Sequence, residues 1–131
     1  MFFKVLFISL IFLISCGQDS TTPQGVAEKF IEEYFVYVDQ EKALPFTMGL
    51  AKIKIEEQLK EVTKVRKRGE KLGVMLADVE FTFVKEMSVR EGIKGFEYKL
   101  DIQGNEFSQK RNVLVSVSKE NGKWLVSNFT E

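Results

Sequence analysis

The stretch that decides the fold is residues 113–129, VLVSVSKENGKWLVSNF. Its first half carries a valine at every second position, the period of a β-strand with one buried face. Asn121-Gly122 follows, a pair typical of the tightest hairpin turns because both turn positions need a positive φ. A last strand runs from Trp124 to Phe129. The stretch therefore predicts an antiparallel hairpin.

The same period of two occurs twice earlier in the chain, around residues 78–83 and 96–103. Turns are predicted at Arg90 to Gly95 and at Gly104-Asn105. The polar residues between the apolar ones are expected to face solvent, because burying an unpaired carboxylate costs several kcal/mol. These polar residues are Asp78, Glu80, Glu97, Lys99 and Asp101. The side chains predicted to be buried are Val79, Phe81, Phe83, Phe96, Tyr98, Leu100, Ile102, Val113, Val115 and Val117.

Helical periodicity precedes the strands. Thr22-Pro23 reads as an N-cap followed by the first helical residue, since a threonine hydroxyl accepts a free N–H and proline lacks one. The helix is predicted to end near Asp39. Its apolar face would be Val26, Ala27, Phe30, Ile31, Tyr34, Phe35 and Val38. The opposite face would carry Glu28, Lys29, Glu32 and Glu33.

Pro45 and Gly49 interrupt residues 40–51, which predicts a short helix, a break and a restart. A third helix is expected from Ala51 to a C-terminal cap at Gly69. Its apolar stripe would be Ile55, Leu59, Val62 and Val65. Helices followed by an antiparallel meander predict an α+β fold, with N-terminal helices packed on a curved four-stranded antiparallel sheet.

The chain resembles a known superfamily at three points. Residues 23–35, PQGVAEKFIEEYF, begin the helical part, and residues 121–129, NGKWLVSNF, end the sheet. With the helical middle, they resemble the nuclear-transport-factor-2-like (SnoaL-like) α+β cone, and more narrowly the small bacterial lipoproteins of that superfamily that carry a domain of unknown function. The resemblance covers about Thr22 to Glu131 and implies a cavity between the first helix and the sheet. A cystatin-like helix-on-sheet fold is the alternative.

The N-terminal segment predicts the location of the protein. A charge at Lys4 and an apolar run resemble a secretory signal that is shorter than the roughly 20 residues of a membrane span. Leu13-Ile14-Ser15-Cys16 resembles the bacterial lipobox, which implies diacylglycerol on Cys16 and cleavage after Ser15. The predicted parts are a signal peptide at 1–15, a lipid-anchored tether at 16–22 and a domain at 23–131. An ordinary signal followed by a free cysteine is the alternative.

The lipobox resemblance implies a membrane partner, reached through the lipid on Cys16. The expected location is the bacterial cell envelope. Gly17 follows the anchor in place of the aspartate associated with inner-membrane retention. In a diderm bacterium, this favours the periplasmic face of the outer membrane.

Composition excludes several classes of function. The chain has 19 basic and 19 acidic residues, and loss of residues 1–15 removes Lys4 alone. This balance provides no general attraction to nucleic acid. The chain has no histidine, which excludes Ser-His-Asp and Cys-His nucleophiles and histidine-based metal sites. We expect no cofactor, and a non-catalytic role is favoured over an enzymatic one.

A basic cluster surrounds the end of the third predicted helix, at Lys64, Arg66, Lys67, Arg68 and Lys71. It suits either an anionic lipid surface or the negative end of the helix dipole. The second interpretation is favoured, because nearby glutamates dilute the charge.

A set of aromatic and sulfur-containing side chains could line a cavity for a small lipophilic or aromatic ligand. They are Tyr34, Tyr37, Phe46, Met48, Tyr98 and Trp124. The alternative is that these side chains only fill the core. The favoured function is a lipid-anchored binding or interaction module. The first alternative is a cone-fold isomerase or hydrolase with Asp78 or Asp101 turned inward. The second is a structural accessory that pairs with itself or with another envelope protein.

Overall fold

The computed structural model describes residues 19–67 and 77–130. The helical elements are α1 (Pro23–Ile31), a π-helical turn (Glu32–Val36), α2 (Gln40–Ala43), a 3-10 turn (Leu44–Phe46) and α3 (Gly49–Lys67). The strands are β1 (Asp78–Arg90), β2 (Ile93–Gln103), β3 (Ser108–Glu120) and β4 (Lys123–Phe129). None of the helices in these two ranges is long and apolar enough to span a bilayer.

The strands of the described residues form one antiparallel meander in the order β1-β2-β3-β4. The helices pack on this sheet, and the predicted α+β fold class is confirmed. Asn121 and Gly122 have φ values of 50° and 77°, which is the left-handed backbone that a two-residue hairpin requires. The hairpin prediction is confirmed at both residues.

The inner face of the sheet follows the predicted alternation in β2 and β3. Phe96, Tyr98 and Leu100 are fully buried, and so are the three valines of β3, Val113, Val115 and Val117. The intervening acids stay on the other face, where Asp78 and Glu80 are exposed and Asp101 is half-buried beside Gln103. The register therefore turns neither Asp78 nor Asp101 inward.

Strand β1 departs from the prediction, because Phe83 is 40% exposed. This strand lies at the edge of the sheet, and an extra residue at Val84 and another at Val89 interrupt its pairing with β2. Helix α1 packs mainly toward β3 and β4, where Phe30 contacts Phe129 with 4.9 Å between ring centroids. The edge strand consequently has only a partial cover on its inner face.

Helix α1 begins as the sequence predicts. The hydroxyl of Thr22 accepts the N–H of Gly25 at 3.0 Å, and Pro23 takes the first helical position. The helix does not run to Asp39 as a regular α-helix. It ends at Ile31 and continues as the π-helical turn, in which Tyr37 N–H donates to the carbonyl of Glu32. A π-turn inserts one residue into the helical repeat. Val38 therefore leaves the apolar face and is 61% exposed.

The middle of the chain confirms the predicted break and restart. Thr47 pairs with Val126 as an isolated bridge, and Met48 N–H donates to the carbonyl of Val126 at 2.8 Å. Helix α3 then starts at Gly49 and buries Ala51 and Ile55 against the sheet.

Several predictions concern residues outside the described ranges. These are the signal peptide at 1–15, the lipid site at Cys16, the cap at Gly69, and the basic cluster members Arg68 and Lys71. The side chains of residues 66 and 67 are likewise outside the description. All of these remain predictions.

Candidate functional site

The candidate site is a cleft of about 420 Å³ between the π-turn and strand β1, called the α1–β1 cleft below. Glu32, Val36 and Tyr37 form one wall, and residues 79–82 form the other. The edge position of β1 leaves this cleft open to solvent. Val36, Val79 and Phe81 give it apolar walls, and Glu32, Glu80 and Thr82 add a comparable polar surface.

Tyr98 lies behind the β1 wall of this cleft. Its ring meets those of Phe81 and Phe83 edge to face, with centroids 5.9 and 5.7 Å away. The side chain is fully buried, and within the described residues its hydroxyl has no hydrogen-bond partner. An unsatisfied buried donor costs about 1–3 kcal/mol. Such a group in a folded protein calls for an explanation, and a functional role is one.

Glu28 is the charged residue that acts on Tyr98. Burial raises the pKa of the Glu28 carboxyl, while a hydrogen bond with the Gln24 side chain opposes that rise. Burial first, and then the charge of Glu28, raise the pKa of Tyr98 well above its ordinary value. The phenol therefore stays protonated and remains a hydrogen-bond donor at neutral pH.

The amphipathic pattern predicts Glu28 on the solvent face of α1, and this prediction is only half right. Glu28 is half-buried and acts electrostatically on the inner face of the sheet. Its neighbour Lys29 pairs instead with Glu33 at 3.6 Å and Glu32 at 4.0 Å. The available signal was the spacing of Gln24, Glu28 and Glu32, which forms an i, i+4 row along one side of the apolar face.

The backbone beside the cleft is strained. Val38 has a φ of 52°, a left-handed conformation that is unusual for a β-branched residue. Such residues cost about 1–3 kcal/mol and cluster at functional sites, as π-turns also do. Here they follow one another directly and bring Tyr37, which is 63% exposed, to the rim of the cleft.

The six predicted pocket residues divide into three groups. Tyr37 lines the α1–β1 cleft, and Tyr98 lies directly behind it. Tyr34 is buried against Phe129 and exchanges hydrogen bonds with Gln58 at 2.8 and 3.0 Å. The remaining three are half-buried around β4 and the segment leading into α3; they are Phe46, Met48 and Trp124. That these six share a ligand pocket remains a prediction.

A larger cleft of about 700 Å³ lies between α3 and β4. Its most buried cation, Lys54, donates to Asn128 Oδ1 at 2.9 Å and to the carbonyl of Phe129 at 2.8 Å. The ammonium also lies 4.9 Å from the centre of the Phe129 ring. These contacts already satisfy Lys54, so its ammonium is not available to a ligand without breaking them.

Within residues 19–67 and 77–130, no group of three or more Asp, Glu, His or Cys side chains is arranged to hold a metal ion. The α1–β1 cleft itself offers the carboxylates of Glu32 and Glu80, the hydroxyls of Tyr37 and Thr82, and apolar walls, with Glu28 and Tyr98 behind them.

Comparison with known proteins gives few matches. No family model matches the chain, and no curated protein matches it. The chain is similar to a solved structure of a designed NTF2-like protein that carries five substitutions. That similarity covers 84% of this chain and 89% of the designed one, at 17% identity and a TM-score of 0.44. No family membership follows from it.

Proposed function

We propose that this protein is a lipid-anchored, non-catalytic binding module of the bacterial cell envelope, of the kind found among small NTF2-like (SnoaL-like) lipoproteins. Its domain would hold a small, largely apolar ligand in the α1–β1 cleft. The observation that carries the binding part is the buried hydroxyl of Tyr98 behind the β1 wall of that cleft, which has no hydrogen-bond partner among residues 19–67 and 77–130. The anchoring part depends on the lipobox-like residues that end at Cys16.

Anchoring at Cys16 would hold the domain close to the bilayer. Residues 17–22 connect Cys16 to the start of helix α1 at Pro23, and as an extended chain they reach roughly 20 Å. Residues 19–22 form a hydrogen-bonded turn in which Thr22 N–H donates to the carbonyl of Asp19, so 20 Å is an upper bound. In a diderm bacterium, we place the domain on the periplasmic face of the outer membrane.

Cell fractionation tests the anchor. The full chain and its Cys16→Ala variant are expressed in a bacterium that is fed labelled palmitate. We expect the wild type in the membrane fraction, labelled and cleaved before Cys16, and the variant unlabelled. A wild-type chain found unlabelled in the cytosol with residues 1–15 intact would overturn the anchoring proposal.

Native mass spectrometry of the mature chain from envelope extracts tests the binding part. A retained small molecule would support a binding module. A stable pair of chains, or a pair with another envelope protein, would favour the structural-accessory alternative instead. A monomer with no added mass would count against a tightly held ligand.

One observation favours an enzymatic alternative, an isomerase or hydrolase. Glu28 is a carboxyl with a raised pKa near a buried phenol, and such pairs occur at active sites. In this alternative, Glu28 would take the role first considered for Asp78 or Asp101. Conversion of the retained molecule by the wild type but not by Glu28→Gln would favour the enzyme over the binding module.

A further inference from the structure

We infer that the domain docks on a phospholipid surface through the end of the sheet that carries Trp124. At this end, Lys94 and Lys119 bind the phosphates of the lipid headgroups. The inference rests on the proposed anchor at Cys16 and deepens it by naming the face that the domain turns to the bilayer. It combines the direction of α1, the position of Trp124 and the two cations beside its ring.

The direction of α1 decides which end of the domain meets the bilayer. Phe30, near the end of α1, packs on Phe129, which pairs with Val115 near the middle of β3. Farther along the chain, Tyr37 lies beside residues 79–82, which pair with the part of β2 that leads into the β2–β3 hairpin. Because the chain runs in this direction, α1 begins at the opposite end of the sheet. The β1–β2 and β3–β4 hairpins turn at that end.

The first turn of α1 lies close to the level of these two hairpins. From Pro23 to Phe30 the helix rises about 10 Å. From Val115 to Lys119, strand β3 extends about 13 Å toward its hairpin. The chain that comes from the proposed anchor therefore enters the domain beside Lys119, and the short tether keeps this end nearest to the bilayer.

Trp124 lies at this end of the sheet, and two lysines accompany its ring. Its partner on β3 is Lys119, whose ammonium lies 5.6 Å from the centre of the ring. The ammonium of Lys94, on β2, lies 5.8 Å from the same centre. Indole rings are enriched at membrane–water interfaces, and lysine ammonium groups bind phosphate. A half-buried indole beside two ammonium groups therefore fits the headgroup level of a phospholipid bilayer.

Charges of both signs occur at this end, so attraction to the bilayer depends on their arrangement. The cations are Arg90, Lys94, Lys119 and Lys123, and the acids are Asp19, Glu86, Glu91 and Glu120. Glu86 pairs with Lys94 at 3.8 Å, and both side chains are about half exposed. Lys119 has no ion pair among residues 19–67 and 77–130. The ring of Trp124 thus has two cations and one carboxylate beside it, an arrangement that attracts a phosphate.

Fluorescence of Trp124 tests the inference, because Trp124 is the only tryptophan in the chain. The mature chain, residues 16–131, is coupled through the thiol of Cys16, its only cysteine, to a maleimide lipid in vesicles of phosphatidylcholine and phosphatidylglycerol. We expect the emission to shift to the blue and to be quenched by lipids brominated on their acyl chains. When Lys94→Gln and Lys119→Gln are combined, the equilibrium constant of docking should fall about 25-fold, since each lysine near an anionic surface contributes about fivefold.

Lys99→Gln combined with Lys110→Gln is the matched control, because it removes two exposed lysines from the part of the sheet near the β2–β3 hairpin. We expect it to keep the quenching of the wild type. Lys94→Arg combined with Lys119→Arg should keep it as well, because both charges remain. Added salt should weaken the docking of the wild type and of the control alike, since salt screens exposed charges.

Three results would overturn the inference. The first is a coupled wild-type chain whose Trp124 emission equals that of the uncoupled chain in buffer, without quenching. The second is quenching that the glutamine variants of Lys94 and Lys119 leave unchanged, or that the control variants reduce equally. The third is a response of Trp124 to an acidic envelope protein but not to vesicles, which would assign this face to protein contacts.

The outcomes also separate this inference from the proposed anchor, because the lipid in the vesicle experiment is attached chemically and does not depend on processing in the cell. If the wild type carries palmitate in the fractionation experiment but does not dock on vesicles, the inference fails while the anchor stands. An unlabelled chain in the cytosol would overturn the anchor, and the inference with it.

Discussion

The aromatic residues near the two edges of this sheet are buried to different extents. On the β3–β4 side, Phe30 and Tyr34 pack on Phe129 with ring centroids 4.9 Å apart. On the β1 side, Phe81 and Phe83 contact Tyr98, but Phe83 is partly exposed to solvent. Both α1 and α3 bury the rings of the first side, called the closed side below although the larger cleft opens beside it between α3 and β4. The second side, called the open side, is covered by a single helix and a strained turn.

The same contrast holds for polar groups. The hydroxyl of Tyr34 is paired with Gln58, and the ammonium of Lys54 is paired with Asn128 and a backbone carbonyl. The hydroxyl of Tyr98 is buried and unpaired within the described residues. The comparison indicates that the closed side contributes more to stability than the open side does.

The largest expected effect comes from truncating the closed side. Phe129→Ala should lower the free energy of unfolding by about 3–5 kcal/mol, because the ring is almost fully buried and leaves a cavity. Phe83→Ala on the open side should cost about 1 kcal/mol, because its ring already contacts solvent. Urea unfolding of both variants measures the difference. Equal losses would contradict the division into a closed and an open side.

The second prediction compares the two tyrosines. Tyr98→Phe should raise the free energy of unfolding by about 1 kcal/mol, because it removes a buried hydroxyl that has no hydrogen-bond partner in the part of the chain that the structure describes. Tyr34→Phe should lower it by about 1 kcal/mol, because it leaves Gln58 without that hydroxyl. Thermal unfolding of the two variants gives the signs. A loss of stability in Tyr98→Phe would mean that its hydroxyl is satisfied, and the contrast would disappear.

The period of two predicted most of the buried face of strands β2 and β3. Buried valines of β3 and aromatics of β2 follow from a period of two, because the two faces of a strand meet different environments. Phe83 fits the same pattern but is partly exposed. Its exposure depends on the edge position of β1 and on the extra residue at Val84, and neither is visible in local periodicity.

The candidate site was only partly predictable. The sequence predicts Tyr37 and Tyr98 as pocket residues, but it does not distinguish Tyr98 from Tyr34, since the partner of each hydroxyl is set by tertiary contacts. An amphipathic pattern assigns each residue to either the buried or the exposed face of a helix. It therefore does not predict the half-buried position of Glu28 between the two faces. The π-turn was missed because its extra residue is stabilised by packing rather than by a local sequence signal.

The third prediction tests whether the rim of the open side is strained. Val38→Gly should raise the free energy of unfolding by up to about 1 kcal/mol, because glycine adopts a positive φ without steric cost. Val36→Gly, two residues earlier in the π-turn, is the control and should destabilise by about 1 kcal/mol, since glycine is unfavourable within a helix. Chemical unfolding measures both. A loss of stability in Val38→Gly as large as that in Val36→Gly would contradict strain at Val38.

The smallest expected effect is the pH dependence that Glu28 gives to the open side. Burial raises its pKa in the folded state, so the folded protein favours the neutral carboxyl more than the unfolded chain does. The contribution of the neutral Glu28 carboxyl to the free energy of unfolding is therefore fully present below its ordinary pKa. It is lost as the pH rises through the pKa that Glu28 has in the folded state. Glu28→Gln, which stays neutral, should be slightly more stable than wild type at about pH 7, and this advantage should vanish near about pH 4.

Thermal unfolding at the two pH values measures this difference, with the exposed Glu61→Gln as the control on α3. Glu61 is exposed and pairs with Lys64 at 3.1 Å, so this variant shows the effect of losing a surface carboxylate and its ion pair. If the two variants responded alike, Glu28 would behave as a surface residue. The charge of Glu28 would then no longer explain part of the raised pKa of Tyr98.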